Sequence, residues 1–190
     1  MVESVDVTDS RQVREGYHFT LVQDTHLPFP NGTFDVVISN HVIEHVGDLQ
    51  AQRHHLAELH RVMAPGGVGY LSVPNRWMLV EPHFQLAFLS WLPRPWRSPY
   101  VRLRQRGQLY DCEPLQLHEL DRLLEQAGFE WSHLEAQAVQ ALFHTEPSHS
   151  LLTRMARHLP DWAFAALRPG IPTLICKLTH RTPHFGRPHV

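Results

Sequence analysis

Only two cysteines occur in the 190 residues, Cys112 and Cys176, far apart and outside any C-x-x-C spacing. That excludes a disulfide framework and a structural zinc site built from thiolates, and makes a reducing compartment the default expectation. Long hydrophobic runs are missing too. The longest apolar stretch, around Phe84 to Leu92, falls well short of the roughly 20 residues that cross a bilayer. The opening Met1-Val2-Glu3-Ser4-Val5-Asp6 has neither a basic n-region nor an apolar h-region, so the expected location is the cytoplasm. Neither sign of charge dominates: 17 basic side chains against 19 acidic give a net charge of −2, which argues against a strongly basic nucleic-acid binder. Lysine is reduced to Lys177, and every other basic residue is arginine.

What is present suits a folded α/β domain. Apolar residues make up 43% of the chain, enough for a core and too many for a disordered tail protein. Histidine numbers sixteen. A half-wet surface accounts for most of them, and the count by itself assigns no metal ligand. Short β-branched runs alternate with helical patterns, the mark of βαβ units feeding a mostly parallel sheet. Strands are expected at Val2–Val7, Phe19–Gln23, Phe34–Ser39, Val68–Val73 and Thr173–Thr179, with a weaker alternating edge strand at Phe129–Leu134. Helices are expected over Leu49–Met63, on a stripe of Leu49, Leu56, Leu59 and Met63, and from Pro114 to a left-handed cap at Gly128. Pro65-Gly66-Gly67 stops the first of these and turns the chain, and His54, His55 and His60 are read as a solvated helix face.

Two segments break the alternation and are read as cap or lid insertions, 76–112 and 138–170, within a single domain over 1–182 that is followed by a tail at 183–190. The first mixes Trp77, Phe84, Phe88, Trp91, Trp96 and Tyr100 with Arg94, Arg97, Arg102, Arg104 and Arg106, and Pro93, Pro95 and Pro99 forbid one long helix in it. So many large aromatics imply that part of the segment caps a pocket. Its other readings are an exposed face and an interfacial patch making peripheral contact with a membrane. The second is read as a helix over Ser148–Arg168, with Leu151, Leu152, Met155 and Leu159 on its apolar side, broken at Pro160.

The run Gln23-Asp24-Thr25-His26-Leu27-Pro28-Phe29-Pro30-Asn31-Gly32-Thr33-Phe34-Asp35-Val36-Val37 is an acid at a strand end, a short apolar turn and an Asn-Gly reversal into a buried strand. A carboxylate at the carboxyl end of a strand faces the crevice where open α/β sheets bind ligands. There it can accept hydrogen bonds from a ribose or an adenine amino group. This run is followed by Ser39-Asn40-His41-Val42-Ile43-Glu44-His45-Val46 and by Arg61-Val62-Met63-Ala64-Pro65-Gly66-Gly67. In that order and spacing the blocks resemble the class I S-adenosylmethionine-dependent methyltransferases, in the branch that includes quinone-biosynthesis enzymes, from about residue 2 to residue 75.

The resemblance implies a Rossmann-like α/β fold: a mostly parallel sheet with helices on both faces, an antiparallel last strand and an inserted lid. It implies S-adenosyl-L-methionine as cofactor and methyl transfer to an oxygen, carbon or nitrogen nucleophile, while the lid aromatics favour a small hydrophobic or aromatic acceptor and the charge balance argues against nucleic acid. Asp6, with Asp9 as stand-in, would hold the ribose hydroxyls and Asp24 the adenine amino group, with Thr25 supplying a backbone N–H. Asn40, His41 and His45 would border the methionine end. Trp77, Glu81, His83 and Phe84 would stand on the acceptor side, with His41 or His83 as general base and Glu81 as orienting partner.

One element of the family pattern has no counterpart before Asp6: the first strand and its glycine-rich loop, which lie between the strands assigned to Val2–Val7 and Phe34–Ser39. Without that strand two rows of backbone groups are bared, at about 1–3 kcal/mol for each buried unpaired group. The expectation is a chain shortened at its N-terminus or a sheet whose neighbouring strands have closed the gap. The second functional reading is accordingly an inactive remnant acting as a binding subunit. A third takes His41-Val42-Ile43-Glu44-His45 as the H-x-x-E-H motif of a zinc peptidase, which needs both histidines on one helix.

Overall fold

In the computed structural model, which describes residues 1–145 and 160–181, the expected strands and helices form, but the strand expected at Val68–Val73 already starts at Met63 and takes Pro65-Gly66-Gly67 into an irregularity of its pairing instead of leaving them as a turn. The order is β1 Glu3–Asp6, β2 His18–Leu21, β3 Phe34–Asn40, α1 Leu49–Val62, β4 Met63–Pro74, β5 Val80–Glu81 and β6 Leu86–Ala87. It continues with α2 Arg94–Leu103, α3 Leu117–Ala127, β7 Phe129–His133, α4 Glu135–Thr145, α5 Asp161–Leu167 and β8 Thr173–His180. The central sheet has the order β3-β4-β8-β7. β3 runs parallel to β4, while β8 is antiparallel to both β4 and β7, so three strands point one way and the last in sequence points the other.

Helix α1 starts where the Asp48 side chain caps the N–H groups of Gln50 and Ala51. Its inward stripe is Gln52, His55, Leu56, Leu59 and Val62, at helical spacing. That stripe differs from expectation: Leu49 is exposed, and His55 is buried against the Ser39 hydroxyl, 3.1 Å from its Nε2. His60 likewise packs between Phe129 and His180. His55 turns inward to β3 and His60 is half-buried between Phe129 of β7 and His180 of β8, so only His54 of the three stays exposed as expected. Desolvation lowers the His55 pKa to about 4, so it stays neutral in the fold.

Helix α3 begins three residues after Pro114, at a capping box made by Gln116 and Glu119, and ends at Gly128, whose φ of +87° is the left-handed turn a glycine accepts without strain. α1 and α3 lie side by side on one face of the sheet. Leu56, Leu59, Leu120, Leu123 and Leu124 meet alternate residues of β4 and β8, Leu71, Val73, Leu174, Cys176 and Leu178. The insertion after β4 builds a smaller core of its own from Leu86, Leu89, Val101, Tyr110 and Cys112. Its helix α2 holds Pro95 in the first turn and Pro99 within, so the prolines restrict the helix to ten residues without preventing it. Arg97 is buried there, its guanidinium donating to the Leu92 and Ser90 carbonyls and to Glu113. Trp96 and Phe88 remain exposed. Leu151, Leu152, Met155, Leu159 and the 183–190 tail lie outside the described residues.

The neighbouring strands do not close the gap. Among the described residues β1 pairs only with β2, in parallel, and β3 only with β4. Val36 and Ile38 of β3 are 62% and 68% exposed, on the face opposite α1. Ile38→Thr is therefore expected to change unfolding free energy by less than about 0.5 kcal/mol. Leu71→Ala, in the covered face, should cost about 2–5 kcal/mol, both read from urea unfolding curves.

Candidate functional site

The carboxyl end of β3 opens onto a loop rather than a helix. Asn40 pairs with Ser72, and His41 takes a left-handed φ of +53° while its N–H donates to the Ser72 carbonyl. A non-glycine residue in that region costs on the order of 1–3 kcal/mol, a strain that recurs at functional sites. The loop 41–47 then anchors itself by Ile43, which is fully buried in the main core. Because His41-Val42-Ile43-Glu44-His45 is not helical, its two histidines do not share a helix face, and the zinc-peptidase geometry is absent.

Two contacts hold this loop against the end of the insertion. The Glu113 N–H donates to the Glu44 carbonyl at 2.8 Å. The Gln52 amide, 2% exposed on α1, donates to the carbonyls of Ile43 and Glu113. Brought together in this way are His41, Glu44 and His45 from the loop, Glu81 and His83 from the β5–β6 turn, and Cys112. His83 Nδ1 lies 2.8 Å from Glu81 Oε1, while Glu81 Oε2 accepts the Phe84 N–H. His45 and His83 meet edge to face, with ring centroids 5.4 Å apart.

Glu44 is fully buried, and neither of its carboxylate oxygens has a hydrogen bond. His41 Nδ1 lies 3.3 Å from its Oε1. Burial raises the Glu44 pKa and lowers that of His41, the latter helped by His83. Both shifts favour uncharged forms, so this contact is not a strong ion pair. Burial also raises the Cys112 thiol, and Asp111, Glu81 and Glu44 add to the effect.

The other anticipated residues stand at the ends of β1 and β2. Asp6, opposite Leu21 in the register, uses Oδ1 to accept the Thr8 N–H, and Asp24 uses Oδ1 to accept the His26 N–H. Both are exposed at the same end of one parallel pair. Asp9 is bound by Arg11, whose guanidinium holds its carboxyl well below the usual range. The Thr25 hydroxyl lies 2.6 Å from His54 Nδ1. Behind them, Arg61 on α1 donates to the carbonyls of Leu27 and Phe29 and to Glu58, which in turn accepts the Leu27 N–H. This clamp fixes the turn after Asp24.

Within the insertion Trp77 and Trp91 stack edge to face at 5.5 Å, both partly exposed, and Trp77 Nε1–H donates to Gln116. A cleft beside them is lined by Leu49, Gln52, Arg76, Arg94, Arg97, Glu113 and Glu119, and Arg76 Nε, buried, has no partner. Sequence reasoning passed over Cys112 as a site residue. No spacing rule links a cysteine to a histidine 67 positions away, and only the hydrogen bonds of Gln52 and Glu113 join them.

Strand ends carrying acids, a mixed sheet with its last strand reversed and two helices on one face make up an open α/β fold, and comparison with known proteins places it beside methyltransferases. Residues 2–71 match the model of the family described as "Methyltransferase domain", so over that stretch the chain is similar to methyltransferases. A probable S-adenosylmethionine-dependent methyltransferase of Mycolicibacterium smegmatis is 36% identical over 104 residues, 55% of this chain and 32% of that protein. The ubiquinone/menaquinone biosynthesis C-methyltransferase UbiE of Ralstonia pickettii is 31% identical over 110 residues, 55% of this chain and 43% of that protein. The chain thus spans less than half the length of these relatives. The crystal structure of an S-adenosylmethionine-dependent methyltransferase from Mesorhizobium loti shares the fold with a TM-score of 0.55 at 12% identity, over 93% of this chain and 79% of that one. The YcgJ protein of Bacillus subtilis does so at 0.51 and 14% identity, over 95% and 82%.

Two measurements test the local geometry. Gln52→Ala leaves two buried carbonyls short of a donor and should cost about 1–3 kcal/mol in thermal or urea unfolding. The Glu58 carboxyl is lowered from 4.5 to about 2, chiefly by Arg61. The clamp therefore contributes its full stability above about 4.5 and loses it as pH falls towards about 2. In Arg61→Ala the Glu58 carbon resonance should titrate close to 4.5 instead.

Proposed function

We propose that the chain serves S-adenosylmethionine-dependent methyl transfer to a small hydrophobic or aromatic acceptor. The observation that carries this reading is the pair of exposed carboxylates, Asp6 and Asp24, at the carboxyl ends of adjacent parallel strands, inside the segment that matches the methyltransferase family. Each has only Oδ1 engaged among the described residues, which leaves Oδ2 to accept from ligand hydroxyl or amino groups. Those residues fit the adenosine half of the cofactor. For the methionine half the fitting groups are Asn40, His41 and His45 around the crest of β3, and the described residues hold no glycine-rich turn at a strand end to complete it.

When bound, the cofactor supplies an electrophilic methyl on a sulfonium. The chain's own part is alignment and proton handling. His41, kept uncharged by burial, is in the state a general base requires, and His83, oriented by Glu81 at 2.8 Å, is the second candidate for that role. Trp77 and Trp91 offer ring faces to an apolar acceptor, and Arg76, with its unpartnered Nε, offers a donor to an acidic group on it. No helix among the described residues is long and apolar enough to cross a membrane. A cytoplasmic setting with a small-molecule acceptor and no nucleic acid is part of the same reading.

Calorimetry with S-adenosylhomocysteine should show micromolar binding, weakened at least tenfold by Asp24→Ala and by Asp6→Ala, about 1.4 kcal/mol each. Absence of heat with the intact chain would reject this reading in favour of a binding subunit that has lost the cofactor.

A further inference from the structure

The cluster beside the crest of β3 has more of a metal site's features than a catalytic base requires. His45, His83 and Cys112 each present a donor atom, and the three atoms lie within 4.8 Å of one another. Cys112 Sγ is 3.7 Å from His45 Nδ1. Ligands around a tetrahedral ion with bonds near 2.0–2.3 Å are roughly 3.6 Å apart, so that pair is already at coordination distance.

The surroundings of these donors point the same way. His83 directs Nδ1 at the buried Glu81 carboxylate, whose other oxygen is held by the Phe84 N–H. That bond fixes the tautomer with the proton on Nδ1 and leaves Nε2 as a free lone pair, the carboxylate–histidine arrangement that accompanies metal-ligating imidazoles. Below the cluster lies Glu44, fully buried, with no hydrogen bond to either oxygen and with Oε1 4.0 Å from His45 Nε2. A buried carboxyl without a hydrogen-bond donor stays uncharged, the form burial favours for Glu44, and becomes a carboxylate at low cost only where a cation balances it. Asp111 adds a third carboxylate, its Oδ1 3.7 Å from Cys112 Sγ. The side chains of His45 and His83 are 38% and 43% exposed, so an ion can enter from solvent.

We propose that His45, His83 and Cys112 bind a divalent cation of the Zn2+ class, with Glu44 and Glu81 as the carboxylates that balance its charge and orient its ligands. One thiolate and two imidazoles select a borderline metal over Mg2+ or Ca2+. Binding converts the Cys112 thiol to thiolate and releases its proton to solvent. Three protein donors leave the fourth position open for water or the heteroatom of a small ligand. This assignment replaces the absence of any metal ligand in the sequence reading. It also differs from the H-x-x-E-H reading, in which His41 and His45 would be partners.

The test uses the whole chain, stripped with chelator and titrated with Co2+ as a spectroscopic stand-in, and does not depend on methyl transfer. The expected result is one equivalent bound at micromolar or lower concentration, with tetrahedral visible bands and a thiolate-to-cobalt charge-transfer band, all displaced by Zn2+. Cys112→Ser should abolish the charge-transfer band. His45→Gln and His83→Gln, at half-exposed positions that leave the cores untouched, should weaken binding at least tenfold. Glu81→Gln should weaken it about 10–100-fold, while His118→Ala, on an exposed face away from the cluster, should change nothing. An octahedral spectrum without a thiolate band in the wild-type chain would overturn the proposal. So would unaltered affinity in the folded His45→Gln and His83→Gln variants.

Discussion

The site depends on one buried amide. Gln52 reaches from α1 to the carbonyls of Ile43 and Glu113, and so joins the loop after β3 to the last residues of an insertion that starts more than thirty positions further along the chain. The main-chain bond from Glu113 to Glu44 completes the link, and Ile43 inserts the loop into the main core. Glu44, His45 and Cys112 become neighbours for that reason. Without the bridge, the loop carrying two histidines and the segment carrying the cysteine would each keep a separate local structure, and neither alone has a ligand set.

The energy that makes such a bridge affordable comes from the layer of α1 and α3 on β4 and β8. There leucines from both helices interlock with alternate strand residues, and the buried side chains are almost all aliphatic. The opposite flank is built differently. Among the described residues β1 and β2 form a pair of their own, and β3 keeps an unpaired edge and an exposed Val36 and Ile38. Apolar strand residues so exposed on one face are fully consistent with a strand whose sequence is suited to burial on both. The acids read as nucleoside ligands stand on the lightly supported flank, while the histidine, cysteine and carboxylate cluster stands where the main core ends.

These two halves divide the chemistry. Exposed carboxylates at strand ends, each turned partly into its own backbone, suit reversible binding of a polar nucleoside. The buried carboxylates Glu44 and Glu81, with imidazoles above them, suit holding a cation or steering a proton. Both lie around the carboxyl ends of parallel strands, where an open α/β sheet gathers its functional residues.

Most strand and helix positions, the strand-end acids and the family resemblance were legible in the sequence, because periodicity, the Asn-Gly turn and short ordered motifs act over a few residues, whereas Pro65-Gly66-Gly67 entered β4 because β3 pairs with residues on both sides of it. Tertiary packing decided what those rules do not reach. It buried His55 against β3 and half-buried His60 between Phe129 and His180, began α3 at its capping box rather than at Pro114, and drew a cysteine 67 positions away to within 3.7 Å of His45. A helix face carries no mark of which neighbour will cover it. A ligand set drawn from three separate loops has no spacing to read, since only the folded chain sets the distances between them.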